Sequence, residues 1–347
     1  MSRVVYITTV FALFLSIIGF YAPQHFTTVK DSLTYNIKLH LYSSIPPLIT
    51  PKPDTNNPMA AVAAKAAAKT AKVTLHLSKA RGHADYGWLR TFHSFSFADW
   101  YDPKFTHFGA LRVLNEDRVK ANSGFPTHPH RDFEIFSYIL SGELTHRDSM
   151  LKKGAEGGES DKFFRMKRGD VQFTTGGTGI SHSEFNEHKQ DTAHFLQIWA
   201  MPWKKGLTPR YHTMHFSDEE KRKGFLPILS PLKAGEEATV KEEEEATPAL
   251  PSTIPIHADF VMAAGIIAPG TTFEWAAGGH STKQNQRKVY VHLPMKSGKT
   301  RVFLNGRESK TLNEGDGAFV ENVYAGDTIT VTSNGVADAE VIILDTC

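Results

Sequence analysis

Residues 126–134 read PTHPHRDFE, and residues 179–187 read GISHSEFNE. On an extended strand, side chains at i and i+2 share a face. His128, His130, Asp132 and Glu134 therefore share one face if the first stretch is extended, with Arg131, Phe133 and Ile135 on the other. Pro129 favours extended geometry for the residue before it. By the same count His182 and Glu184 share a face, with Asn186 next along it. Gly176, Gly177 and Gly179 predict a tight turn that brings the second strand beside the first. Either these are ordinary polar residues on strand edges, or the two stretches meet around an ion. Any one histidine, in a chain that has 17, is more often structural or exposed than a ligand. Two same-face pairs in turn-punctuated β segments are harder to dismiss. Three imidazoles with one or two carboxylates suit a divalent first-row metal, and open coordination positions would favour non-haem iron chemistry.

Outward from these stretches the texture from residue 73 is short apolar runs separated by Gly, Pro, Asn and Asp: ALRVLNED (110–117), EIFSYILSGE (134–143), DVQFTTGGTG (170–179) and AHFLQIWAMP (193–202). Strands of this length with glycine turns at close intervals predict a β-sandwich or barrel. A polar segment, LKAGEEATVKEEEEATPALPST (232–253), carries the run Glu242 to Glu245 and reads as a solvated linker or insertion. The β texture then resumes to the C-terminus. There NGRESKTLNEGDGAFV repeats the Gly-Asp punctuation of MKRGDVQFTTGG, which points to a duplicated β-barrel.

The chain has 347 residues, with Lys+Arg 39 against Asp+Glu 37. That balance gives no electrostatic case for direct nucleic-acid binding. The single cysteine, Cys347, is the last residue, which excludes an intramolecular disulfide and argues against a cysteine-based metal site. At the other end VVYITTVFALFLSIIGFYA (4–22) is an uncharged apolar run of bilayer length, followed by a poor cleavage site, so it reads as an uncleaved single-pass anchor if the full chain is made. Met59 opens a second start, MAAVAAKAAAKTAKV, after the Pro-rich stretch SIPPLITPKPDTNNP. A chain beginning there is expected in the cytoplasm or nucleus.

The motifs also carry a resemblance. HPHRDFE has the first cupin motif, H-x-H-x3-E, and GISHSEFN fits the core of the second. RTFHSFSFADWYDPKF (90–105), FPTHPHRDFE, SGELTHRDSM (141–150), RGDVQFTTGGTGISHSE and LQIWAMP followed by PRY (209–211) resemble the pirin family, over about residues 77–216. The segment from about 257 to 346 resembles the second, degenerate barrel of pirin-like quercetin 2,3-dioxygenases. The resemblance implies an all-β fold of two cupin (double-stranded β-helix) barrels packed together. Its divisions are an N-terminal extension (1–72), a metal-binding cupin (73–216), an acidic linker or insertion (217–256) and a degenerate cupin (257–347).

It further implies one divalent ion per chain, Fe(II) first, with Mn, Co, Ni or Cu accepted by the same donors. His128, His130, His182 and Glu184 are the ligands so implied. Glu134 is the alternative carboxylate or a neighbour of the site, and Glu184 or Glu134 is the general base. His146, His93 and His107 read as structural or rim, and His280 and His292 as isolated. The implied activity is flavonol cleavage with O2 and release of CO. The alternative is an iron-binding, redox-sensing co-regulator that meets a transcription factor through a basic patch, with Lys162, Arg165, Lys167, Arg168, Lys204 and Lys205 as candidates.

Overall fold

A computed structural model describes residues 71–151, 163–280, 285–296, 298–305 and 309–347. The first half runs β1 (Lys72–His76), β2 (Gly82–Asp85), β3 (Leu89–His93), β4 (Leu111–Val119), β5 (Ser123–His130) and β6 (Glu134–Ser141). It continues through β7 (Leu144–Asp148), β8 (Phe164–Met166), β9 (Asp170–Thr175), β10 (Ile180–Asn186), β11 (Ala193–Ala200) and β12 (Arg210–His215). The short helix α1 (Asp218–Lys221), β13 (Leu226–Pro231), the helix α2 (Val240–Glu245) and β14 (Ile254–Ile256) lead into the second half. That half comprises β15 (Phe260–Ile267), β16 (Thr272–Ala276), β17 (Gln286–His292), β18 (Arg301–Leu304), β19 (Lys310–Asn313), β20 (Gly317–Tyr324), β21 (Thr328–Ser333) and β22 (Ala339–Thr346).

Each half pairs a seven-stranded sheet with a four-stranded one. The first has β12-β9-β6-β11-β4-β3-β2 against β5-β10-β7-β8; the second has β1-β20-β17-β22-β15-β13-β14 against β16-β21-β18-β19. The repeated punctuation is real in backbone terms. Gly169 and Gly315 take φ of 82° and 85°, the left-handed region that glycine enters without Cβ strain. The following Asp170 and Asp316 each accept the backbone N–H three residues back, from Lys167 and Asn313, at 2.9 Å.

Alternation along the strands decides what fills each half. Phe136, Tyr138, Leu196 and Ile198 of the first half meet Phe260, Met262, Ala264, Ile342 and Leu344 of the second in one core between the barrels. The intervening residues of the second half, Val261, Ala263, Val289, Val291, Val341 and Ile343, fill its own barrel with apolar volume. The first barrel is different. Its apolar interior cluster is small, Val113, Ile135 and Trp199 with Phe97 and Phe133 against it. Asn115, Asp117, Ser137, His146, His182 and Glu184 are buried. Buried polar groups are costly unless partnered, so this interior must supply partners for them.

Three expectations change. The stretch 217–256 is not a bare linker: it supplies β13 and β14 to the second sheet. Within it Thr239 and Glu242 close a capping box on α2, and Glu243 is buried against Lys204 at 2.6 Å. The division at 72/73 also moves, because β1 pairs with β20 of the C-terminal sheet, Lys72 opposite Glu321. The single-pass anchor is corrected on one finding: among the described residues no helix is long and apolar enough to cross a membrane. The run 4–22 on which it rested lies outside the described residues.

Candidate metal centre

β5 is the edge of its sheet, where Pro126 and Pro129 cost no ladder hydrogen bond. His182 of β10 lies opposite His128 of β5, while Glu184 lies opposite Phe125, so β5 carries one extra residue between these pairs. This bulge sits beside the histidines, a common place for one next to a functional site. Candidate ligand atoms of His128, His130 and His182 lie within 4.8 Å of one another. Their rings are 4.6 to 4.7 Å apart and close to perpendicular. His128 Nε2 and His182 Nε2 are 3.0 Å apart. Two nitrogens each ~2.1 Å from one ion at a right angle would be separated by ~3 Å. His130 Nε2 is buried with no hydrogen-bond partner. A buried imidazole nitrogen left unpaired in a group of three is what a shared cation would satisfy. The donor set therefore fits a divalent metal.

Electrostatics agree. Burial lowers His128 below the usual histidine range and takes His130 to about 3, with His182 well below that range for the same reason. The imidazoles are neutral, the form that ligates. His128 Nδ1 lies 2.7 Å from the Pro126 carbonyl, which sets its proton on Nδ1 and bares Nε2.

Glu184 enters the same interior, although it is not in the group of three histidines. It accepts from Ser137 Oγ on β6 and from Gln197 Nε2 on β11, both at 2.9 Å. Burial raises its carboxyl to about 7, with the nearby Asp117 adding to the rise. Glu134 does not share the face of His128 and His130. β5 ends at His130, and Asp132 takes φ of 57° with its N–H donating to Gly177 O at 3.0 Å. The strand parity resets across this turn. Asp132 instead accepts from Gly206 N at 2.8 Å. Glu134 points out of the barrel, where it accepts from Thr175 Oγ1 at 3.0 Å and contacts His257 Nδ1 at 3.2 Å.

Sequence reasoning read His146 as structural or rim and gave no role to Asp148, Tyr211 or Trp199. His146 Nε2 is 2.8 Å from His182 Nδ1, and His146 Nδ1 is 3.2 Å from the Tyr211 hydroxyl. His146, Asp148 and His182 form a second buried group with ligand atoms within 4.8 Å. The period-two spacing of His146 and Asp148 was a signal for this. Trp199 lies 5.0 Å from the His130 ring, flanked by Phe97 and Phe133 at 5.5 and 5.4 Å. Its indole N–H is buried and unpartnered. His93 bonds Asn115 at 2.8 Å, His280 bonds Asp259 at 2.9 Å and His292 contacts Glu116 at 3.2 Å. These three serve structural roles.

The family model described as Pirin matches residues 74–200. A protein of Escherichia coli strain K12 named quercetin 2,3-dioxygenase is 40% identical over 181 residues, 49% of this chain and 74% of that protein. The chain belongs to the pirin family. A pirin-like protein of Caulobacter vibrioides is 33% identical over 264 residues, 76% of this chain and 95% of its own. Among solved structures, the Escherichia coli bacterial pirin YhhW in complex with nickel(II) is similar with a TM-score of 0.61 at 30% identity. That likeness covers 79% of this chain and 99% of YhhW.

Proposed function

We propose that this pirin is a metal-dependent dioxygenase that cleaves flavonols such as quercetin with O2, releasing CO. The observation that carries the reading is the convergence of three neutral imidazoles in an interior that also buries the Glu184 carboxyl and an aromatic cluster. The relatives' names supply the substrate class, and the nickel(II) complex of YhhW supplies a precedent for a divalent ion. Fe(II) is proposed as the resident ion; the same donors accept Mn, Co, Ni or Cu.

His128, His130 and His182 would hold the ion through Nε2, with Glu184 as the anionic fourth donor. When bound, the ion supplies a Lewis acid and a template for the substrate's 3-hydroxyl oxygen and for O2. Trp199, Phe97 and Phe133 offer an apolar face to a planar aromatic ring and exclude water from it. The Trp199 N–H offers the ring's oxygens a donor. The Glu184 carboxyl, raised to about 7 by burial, is suited to take the 3-hydroxyl proton onto a carboxylate oxygen. Ser137 and Gln197 hold that carboxylate in place meanwhile. We give the general-base role to Glu184 and not to Glu134, a reading supported by the contacts of Glu134 to Thr175 and His257.

The co-regulator alternative loses much of its basic patch. Arg165 lies 3.6 Å from Glu187, Arg168 is bonded to Asp218 and Glu340, and Lys204 is paired with Glu243. Lys162 lies outside the described residues. Iron-loaded protein incubated with quercetin should bleach its near-UV/visible absorbance and evolve CO. Unchanged absorbance with one iron per chain would reject the dioxygenase reading.

A further inference from the structure

The outer face of the first half's seven-stranded sheet carries a polar crevice of its own. β12 is the edge strand of that sheet. Its register sets Arg210 opposite Thr175 of β9 and His212 opposite Phe173, while Thr175 lies opposite Glu134 of β6. Tyr211, between the two, turns the other way and meets His146. By strand alternation Arg210 and His212 share the face of Glu134, away from the three clustered histidines. His257 and Glu243 close over Glu134, and all three are buried. The Trp203 ring lies 6.0 Å from that of His257. Trp203, Lys204, Arg210 and His212 are each partly exposed, so the crevice runs from an open edge to a closed floor.

Its carboxylates already have partners. Glu134 accepts from Thr175 Oγ1 at 3.0 Å and meets His257 Nδ1 at 3.2 Å; Glu243 lies 2.6 Å from Lys204 Nζ. What remains is mostly donors. Nε and Nη2 of Arg210 are buried with no hydrogen-bond partner, as are Trp203 Nε1, His212 Nε2 and His257 Nε2. The last is 3.9 Å from Glu243 Oε2, beyond hydrogen-bond reach. Arginine cannot shed its charge, and a charged donor buried without its bond is costly. The Nε–H and Nη2–H bonds of a guanidinium point the same way, spaced to meet the two oxygens of one carboxylate.

We propose that this crevice binds one small organic monocarboxylate, with both oxygens on the Arg210 fork and with Trp203, His212 and His257 around it. The planar fork selects a carboxylate by shape. Charge selects a single negative charge, because Glu134 and Glu243 stand close by and would repel the second charge of a phosphate dianion. The organic part of the ligand lies toward the partly exposed rings of Trp203 and His212. Nothing in this assignment depends on the metal centre, which occupies the other face of the sheet.

The test is calorimetric titration of the full chain with sodium benzoate and, separately, with inorganic phosphate, beside crystals soaked in 4-bromobenzoate. Benzoate should bind at one site per chain and more tightly than phosphate. Arg210→Lys keeps the charge but breaks the fork, and should weaken benzoate roughly tenfold or more with an unchanged unfolding midpoint. Anomalous scattering should place bromine beside Arg210 at the edge of β12, a readout that stands even if the variant fails to fold. Equal benzoate affinity in the variant and the unmodified chain, no binding heat at millimolar benzoate, or bromine found only elsewhere would overturn the proposal. A benzoate held by the metal centre alone falls in that class, since it would survive Arg210→Lys. Phosphate bound at Arg210 as tightly as benzoate would overturn the assignment to a monocarboxylate.

Discussion

Replacing Glu184 by glutamine separates two effects that the barrel interior places in opposition. Without a cation, ionising this buried carboxyl is unfavourable: its value rises from 4.5 to about 7 on folding, with burial the larger cause. A rise of that size corresponds to about 3 kcal/mol at 1.36 kcal/mol per unit. The sign follows from proton counting. Between about 4.5 and 7 the folded protein binds more protons than the unfolded one, so stability falls as pH rises through that window. Metal-stripped protein should therefore lose about 3 kcal/mol between pH 4.5 and pH 8 through Glu184 alone. Glu184→Gln keeps the size, removes the charge, and should flatten that part of the slope. The same substitution removes the anionic donor proposed for the ion, so iron affinity should fall ~10–100-fold or more and flavonol turnover should largely disappear. Urea unfolding of both proteins at the two pH values, with iron per chain and quercetin turnover, reads all three. An unchanged pH slope would refute the burial argument. A variant that keeps its iron and full turnover would refute the role given to Glu184.

Glu134→Gln should leave iron content and turnover near the unmodified level and cost roughly 1–3 kcal/mol in urea unfolding, because it weakens the buried contact with His257; an emptied metal site would restore Glu134 as a ligand. His280→Ala and His292→Ala should not change metal content by elemental analysis, and His292→Ala should lower stability, since it exposes the buried Glu116 carboxylate to a lost partner. Trp199→Phe should keep iron and the aromatic wall but remove the N–H, lowering kcat/KM for quercetin roughly tenfold if that donor is worth about 1.4 kcal/mol. Unaltered steady-state kinetics would mean that the indole N–H does not meet substrate.

The histidine pairs could be read from the sequence because strand alternation is strictly local: His128 with His130, and His182 with Glu184, need only a period of two. Glu134 was misread for the converse reason. One residue, Asp132 in the left-handed region, interrupts the period, and an aspartate there carries no glycine-like warning. His146 and Asp148 obeyed the same alternation, but their meeting with His182 depends on the β7–β10 pairing, which only the tertiary fold supplies. Ser137, Gln197 and Tyr211 are likewise brought to the site by strands distant in sequence. The acidic run had a legible cap, Thr239 with Glu242. The burial of Glu243 was hidden, because its partners Lys204 and His257 lie outside the segment.

Anomalous diffraction at the metal absorption edge, on protein purified without added metal, tests the central claim most directly. One ordered ion per chain should appear within about 2.1 Å of Nε2 of His128, His130 and His182, with no second ion in the C-terminal barrel. An ion bound elsewhere, or a chain that takes up none from an iron-supplemented solution, would contradict it.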